Sequence, residues 1–284
     1  MILTLRDGNM NPRWILEEFA FYEEERQIKA EIEKQGMVCE IVDRRTSMSL
    51  EETESKSKEC VILYGSLDFC RKMQRNNSWW VPGNYCNLKN YECISYYPPL
   101  AQYLLNENYV MLPYGELLRR KEFLYNTLGE DDCVFIRPNS GNKTFTGKLV
   151  KKEYFEKDVD NFNFYGIESS GLCIVASPKN ITHEWRFICV NKKVVTGSLY
   201  SLNGVSSLSL NSDQLAMDLA QKVAMSYEPD SVWAIDICKT KAGEYKLLEI
   251  GCFSSAGLYA CDLEILIREV SANAKKEYLD IFEQ

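Results

Sequence analysis

The chain has 284 residues, 45% of them hydrophobic and 26% charged, with 15 glycines and 8 prolines. These values exclude a collagen-like or low-complexity chain, and at about 150 residues per domain the length suggests two domains. Lys and Arg total 33 against 41 Asp and Glu, a net charge of −8, which disfavours bulk attraction to nucleic acid or another polyanion.

In chain order, Ile2 to Leu5 is a short strand candidate. Asn11-Pro12 offers a cap and a proline at a first helical position, and Ile15, Phe19 and Tyr22 recur at i, i+4 and i+7, so the spacing predicts a helix ending at Gly36. Met37 to Val42 reads as a strand, residues 46–59 as a polar connection, Cys60 to Tyr64 as a buried strand, and 67–75 as a helix. Residues 76–97 have no clear period and read as irregular. A second unit starts near residue 106. It has a short apolar stretch from Tyr109 to Leu112, a helix from Tyr114 to Leu128 closed by Gly129, and a strand from Cys133 to Arg137. A polar loop from Asn139 to Gly147 follows, then a strand to Val150 and a helix at 152–162. Strands are predicted at 172–176, 184–190 and 193–200, and a helix at about 211–227 capped by Asn211 or Ser212. Two further strands, 231–238 and 244–250, turn at Ala242-Gly243, and an amphipathic helix covers about 262–282.

Several chemistries are excluded early. The single histidine, His183, removes HExxH and multi-histidine zinc centres, and it reads as a packed side chain rather than a catalyst. The 11 cysteines show no CxxC spacing and sit mostly in apolar runs, as expected for a reducing cytoplasm. The opening MILTLRDGNM has no apolar signal-peptide region, and no 18-residue apolar run predicts a membrane span.

Three features carry chemistry. Asp236 and Glu249 each close an apolar strand, and counting outward from the turn puts both carboxylates near one level. Two adjacent acids repel unless a cation lies between them, and Mg²⁺ suits hard oxygen ligands. Two solvated strand residues, or one acid partnered by a lysine, fit equally well. Next, Arg137-Pro138 leaves a buried strand and leads into Asn139-Ser-Gly-Asn-Lys143-Thr-Phe-Thr-Gly147-Lys148, a composition suited to phosphate. It is not a Walker A loop, because the glycine spacing is one residue too long and Leu149 stands where Ser or Thr is needed. By itself it also reads as an ordinary hairpin loop. Third, Glu184 and Arg186 share one face of a strand while Trp185 and Phe187 share the other, which implies solvent or a ligand-lined cleft. Thr196 to Tyr200 on the next strand could face the same cleft.

The order of these features resembles an ATP-grasp domain from about residue 106 to 260. It is most similar to a little-characterised clade, found mostly in phages and bacteria, marked by two arginines and a lysine. The residues that carry the resemblance are Arg137-Pro138 with Lys143, Phe145 and Gly147, then Glu184-x-Arg186-Phe187, Gly197-Ser198-x-Tyr200, and Asp236 with Glu249. Leu63 to Leu67 and Pro82-Gly83 resemble the clade's leading domain. The resemblance implies an α/β fold with α+β lobes: a pre-ATP-grasp domain at 1–105, then an ATP-grasp domain at 106–284 with lobes 106–170 and 171–284. It also implies ATP held between the lobes. Arg137 would contact phosphate, Lys143, Gly147 and Lys148 would cover the phosphates, Val175 and Ala176 would meet adenine through their backbone, and Glu184 would lie in the nucleotide site. Arg186 would approach the γ-phosphate, Asp236 and Glu249 would hold Mg²⁺, and Arg137, Lys143 and Arg186 would be catalytic.

The activity so implied is carboxylate–amine or carboxylate–thiol ligation through an acyl phosphate. Its substrates would be small-molecule or peptide carboxylates and amines, and its location the cytoplasm, that of the host if phage-encoded. One departure stands out: the family's usual Glu-x-Asn is Glu249-Ile250-Gly251 here, which leaves Ser254, Ser255 or water as substitutes. A non-catalytic nucleotide sensor, and an enzyme acting on nucleic acid through Arg119-Arg120-Lys121, are the competing readings.

Overall fold

The computed structural model describes residues 11–20, 24–43, 58–141, 145–163 and 168–281. The first sheet is parallel, in the order β2-β1-β3-β4, and comprises β1 (Arg13–Glu17), β2 (Cys39–Val42), β3 (Glu59–Tyr64) and β4 (Trp80–Gly83). Helices α1 (Glu24–Lys34) and α2 (Leu67–Asn76) make the crossovers, and Ser66 caps α2 by accepting from the Phe69 amide. The helix expected from Asn11 is therefore corrected: the chain first forms a strand, and the helix begins at Glu24. Trp14, Ile15 and Leu16 are all buried, Trp14 and Leu16 on one face of the sheet and Ile15 on the other. A parallel strand covered on both faces is a continuous apolar run, which a search for helical spacing misreads. Phe19, placed on the helix's apolar face by that reading, is 72% exposed. Tyr22, the candidate strand Ile2 to Leu5 and most of the 46–59 connection lie outside the described residues.

The stretch 76–97 is also more ordered than its sequence suggests. It holds β4 and the start of α3 (Cys93–Leu100), whose last turn contains Pro98 and Pro99. Cys93, Tyr96, Tyr97 and Leu100 are buried, so this short helix lacks the broad polar face that would display a period.

The second sheet is antiparallel, β5-β8-β6-β7, from β5 (Tyr109–Pro113), β6 (Cys133–Pro138), β7 (Lys148–Lys151) and β8 (Leu172–Ala176). Helices α4 (Leu117–Leu128) and α5 (Phe155–Asn163) cover it, with Leu124, Ile136, Val150 and Phe155 at the centre of its core.

The third sheet is antiparallel and five-stranded, β11-β10-β9-β12-β13. Its strands are β9 (Ile181–Val190), β10 (Lys193–Leu202), β11 (Val205–Leu210), β12 (Val232–Thr240) and β13 (Tyr245–Cys252). Edge strand β11 escapes the sequence reading because its Ser/Leu run is exposed along nearly its whole length. Helix α6 (Gln214–Ser226) is capped by Asp213 rather than by Asn211 or Ser212. Trp185, Phe187, Trp233 and Ile235 face α6 and α3. The opposite face changes character along its length: Ile188, Val190, Val232 and Ala234 pack under α7 (Leu263–Asp280) and the parallel sheet, while Arg186 and Asp236 continue that face into the cleft. Among the described residues no helix is long and apolar enough to cross a membrane.

Candidate active site

Strand register builds the site. Ser198 on β10 pairs with Arg186 on β9, Arg186 with Asp236 on β12, and Asp236 with Glu249 on β13. Directly opposed residues of antiparallel strands present their side chains on one face, so this row places a cation between a hydroxyl and two acids. The expected levelling of Asp236 with Glu249 is observed, and the register shifts immediately beyond Asp236.

Each acid is held by an arginine. Arg186 Nε donates to Asp236 Oδ1 at 2.8 Å and Nη2 to Oδ2 at 2.7 Å, with side chains 11% and 3% exposed. Burial works against the Arg186 charge, but the adjacent Asp236 carboxylate more than compensates and holds the guanidinium well above its ordinary pKa. Arg137, on β6 of the second sheet, donates to Glu249 Oε2 at 3.2 Å and so joins that sheet to β13 of the third. The cations and acids inferred from separate motifs thus meet as two ion pairs.

Two cavities adjoin at these pairs. A cleft of about 500 Å³ is lined by Arg137, Ser140, Gly147, Ser177, Lys179, Glu184, Tyr200 and Glu249. A second, of about 290 Å³, reaches the N-terminal end of α2 at Ser66 and is lined also by Arg137, Ser140, Arg186, Glu249, Gly251 and Cys252. Arg137, Ser140 and Glu249 belong to both. Gly147 is required for the close approach of the loop: a Cβ there would lie 2.7 Å from Phe135 Cζ. Glu184 accepts from the Tyr200 hydroxyl at 3.0 Å. Burial, then the charges of Asp236 and Glu184, push that phenol's pKa well up, so it remains a neutral donor.

Other expected site residues lie elsewhere. Lys148 Nζ pairs with Asp158 at 2.7 Å and is not part of the cleft wall, whereas its neighbour Leu149 is. Alternation along β7 sends successive side chains to opposite faces. Lys143 lies outside the described residues. Val175 and Ala176 are in an interior strand of their sheet, paired to β5 on one side and β6 on the other, while Ser177 and Lys179 just beyond the strand line the cleft. His183 contacts Thr182 and stacks on Trp185. The basic run is met by acids, Arg119 and Arg120 by Glu116 and Lys121 by Glu156.

At the departure from the family pattern, Gly251 has no positive φ, and a Cβ built there meets no atom within 4 Å. Ser254 Oγ accepts from the buried Tyr85 amide, and Ser255 Oγ contacts Cys252 Sγ. No group of three or more potential His, Cys, Asp or Glu metal ligands occurs among the described residues. Asp236 and Glu249 are the two carboxylates that would be available to a divalent ion, and each is held by an arginine here. Sequence reasoning missed Lys179, which lines the cleft and follows closely on the end of β8, a usable signal.

No protein of curated function matches the sequence. Among solved structures, the fold resembles the ATP-grasp ligase PsnB complexed with its minimal precursor, with a TM-score of 0.61 at 12% identity, covering 93% of this chain and 99% of that one. PsnB is also solved with Mg and ADP. D-cycloserine synthetase DcsG aligns with a TM-score of 0.62 at 11% identity, covering 92% and 99% of the two chains. D-alanyl-alanine synthetase A from Vibrio cholerae aligns at 0.59 and 11%, covering 96% and 100%. At such identities the likeness is one of fold. Residues 121–267 match the ATP-grasp domain of family 2 in the clade named for two arginines and a lysine, and with half of the sequence matched, the chain belongs to that ATP-grasp family.

Proposed function

We propose that the protein is an ATP-dependent ligase that joins a carboxylate to an amine through an acyl phosphate, releasing ADP and phosphate. One observation carries the reading: two arginine–carboxylate pairs meet where a nucleotide-sized cleft adjoins a smaller cavity. ATP fits the larger cleft, with its adenine edge against the backbone from Ser177 to Lys179 and its phosphates toward Arg137. Gly147 allows the loop to approach the phosphates. The acceptor carboxylate fits the smaller cavity, where Arg137 and Arg186 supply positive charge.

Asp236 and Glu249 would hold Mg²⁺, which supplies charge neutralisation at the phosphates. The chain's own residues do the rest. As the nucleotide enters, Arg137 and Arg186 exchange part of their carboxylate contacts for phosphate oxygens, and their planar forks orient the transferring group. The substrate carboxylate oxygen attacks the γ-phosphorus and ADP leaves; the amine then attacks the acyl carbon and phosphate leaves. Arg186, nearly buried, helps to shield the acyl phosphate from water. The amine reading is preferred to thiol because the structures of similar fold include D-alanyl-alanine synthetase A.

The missing side chain at Gly251 favours a second reading, a nucleotide-binding sensor without turnover. Phosphate release from ATP, measured with pooled amino acids and short peptides, separates the two. Release that depends on both a carboxylate and an amine is expected. Tight binding of a non-hydrolysable ATP analogue with no release in any mixture would favour the sensor, and release only with RNA would favour an enzyme of nucleic acid.

A further inference from the structure

We infer that Tyr259, assisted by Tyr200, is a positioning residue for Arg186: the two rings hold the guanidinium in its working orientation when Asp236 is engaged elsewhere. This role rests on the ligase reading, and it falls to a residue outside every motif used above.

Arg186 Cζ lies 5.1 Å from the Tyr259 ring centroid and 5.8 Å from that of Tyr200. The two rings stack on each other at 4.9 Å and 19°. A guanidinium against an aromatic face is held by the ring quadrupole, and the attraction grows when water is excluded, as it is for this nearly buried side chain. Arg186 has five N–H groups, of which Nε and Nη2 each use one on Asp236 and Nη1 uses one on the Gly257 carbonyl at 3.2 Å. The remaining N–H groups, one on each terminal nitrogen, are directed away from these partners, and Arg186 lines the smaller cavity. Their aim depends on what fixes the guanidinium plane.

Asp236 fixes it in the free protein. In the proposed reaction, however, Asp236 must share its oxygens with a metal. The rings and the Gly257 carbonyl are not among the proposed metal donors, so they are the fixtures that persist when Asp236 turns to the metal.

The loop bearing Tyr259 is itself tied down. Tyr259 has φ +55°, a left-handed conformation that non-glycine residues adopt sparingly and that persists where the surroundings impose it. The constraints come from separate elements. Glu24, at the start of α1, accepts from the Leu258 amide at 3.2 Å and also from the Tyr259 amide. Ser198 Oγ accepts from the Ala260 amide, and Thr196 Oγ1 from the Asp262 amide. Tyr200 is anchored from the other side by its bond to Glu184. A strained aromatic residue, fixed on both flanks and set against the buried cation of the site, is what a positioning role requires.

The test compares Tyr259→Phe, which keeps the ring, with Tyr259→Leu, which removes it at similar backbone cost. The Leu variant should lose about tenfold in kcat, the size expected for a desolvated cation–ring contact, with KM for ATP changed less than about twofold and the Phe variant close to wild type. A second readout needs no turnover. In ¹H–¹⁵N spectra of the protein saturated with a non-hydrolysable ATP analogue and Mg²⁺, the Arg186 Nη signals should be separately resolved in wild type and Tyr259→Phe and averaged by rotation in Tyr259→Leu. If wild type releases no phosphate under any condition yet the spectra behave this way, the ligase reading falls and the positioning of Arg186 stands. Equal kinetics for Phe and Leu, or Arg186 signals unchanged in the Leu variant, would overturn the inference.

Discussion

Replacing Asp236 by asparagine tests the central ion pair directly. The pair is nearly sealed from solvent, with Arg186 11% and Asp236 3% exposed, and Arg186 donates to both carboxylate oxygens. Asparagine keeps the volume but offers one acceptor oxygen, and turns an NH₂ donor toward a guanidinium that is itself all donor. The cation then remains buried without its counter-charge. Breaking a buried pair by removing one partner costs about 3–5 kcal/mol, because the remaining charge is desolvated and uncompensated. At roughly 2–4 °C per kcal/mol for a chain of this size, thermal unfolding should shift down by about 6–20 °C. Adding Arg186→Met should recover most of the loss, since removing both charges removes the desolvation penalty with them. Calorimetry on wild type, both single variants and the double variant closes the cycle. A single-variant loss under about 1 kcal/mol, or a double variant no more stable than Asp236→Asn, would refute the reasoning that Asp236 is the counter-charge of a buried cation.

Glu249→Gln should abolish phosphate release while the chain stays folded, because a neutral amide cannot replace a metal-binding carboxylate; full turnover in this variant would remove Glu249 from the metal site. Gly251→Asn should fold normally, since its backbone is unstrained and its Cβ meets open space, and it should lower the Mg²⁺ needed for half-maximal turnover while Gly251→Ala does not; equal Mg²⁺ curves for the two would show that no ligand is missing there. Lys148→Ala should leave KM for ATP unchanged while Arg137→Lys raises it, as the first side chain is committed to Asp158 and the second faces the cleft; a large KM change for Lys148→Ala in steady-state assays would return it to the site. Burial raises the Glu24 pKa above its ordinary 4.5, so its ionised form penalises folding above the folded-state pKa, and the penalty fades as pH falls and is gone below the unfolded value. Glu24→Gln removes that pH-dependent penalty together with acceptance from the Leu258 and Tyr259 amides, so its stability relative to wild type should be lower at about pH 4 than at about pH 7, a difference that urea titrations at the two pH values would reveal or deny.

Much of the site is written locally. Strands β12 and β13 are joined by a short turn, so counting residues outward from Lys241 to Gly243 brings Asp236 to within one residue of Glu249, and a register shift between Asp236 and Ile237 completes the pairing. The strand period of two puts Glu184 and Arg186 on one face of β9 and buries Trp185 and Phe187 on the other. Regular strand geometry determines the second relation, whereas the first also needs the irregularity that the folded sheet holds beside Asp236. The partners of those side chains are a different matter. Arg137 reaches Glu249 across 112 residues because the second and third sheets meet there, and no spacing encodes that meeting. Composition points Lys148 at the site, but the pleat of β7 and the position of α5 deliver it to Asp158. Strand β1 reads as a helix because burial on both faces erases the alternation that identifies a strand, and that burial exists only once α7 and the crossover helix α2 close over it. Tyr259 reaches Arg186 only through a left-handed turn imposed by Glu24, Ser198 and Thr196 from distant parts of the chain. Periodicity specifies which face a side chain takes, whereas its partner across that face is set by long-range packing, whose loop-closure and desolvation free energies are shared among residues far apart in the chain.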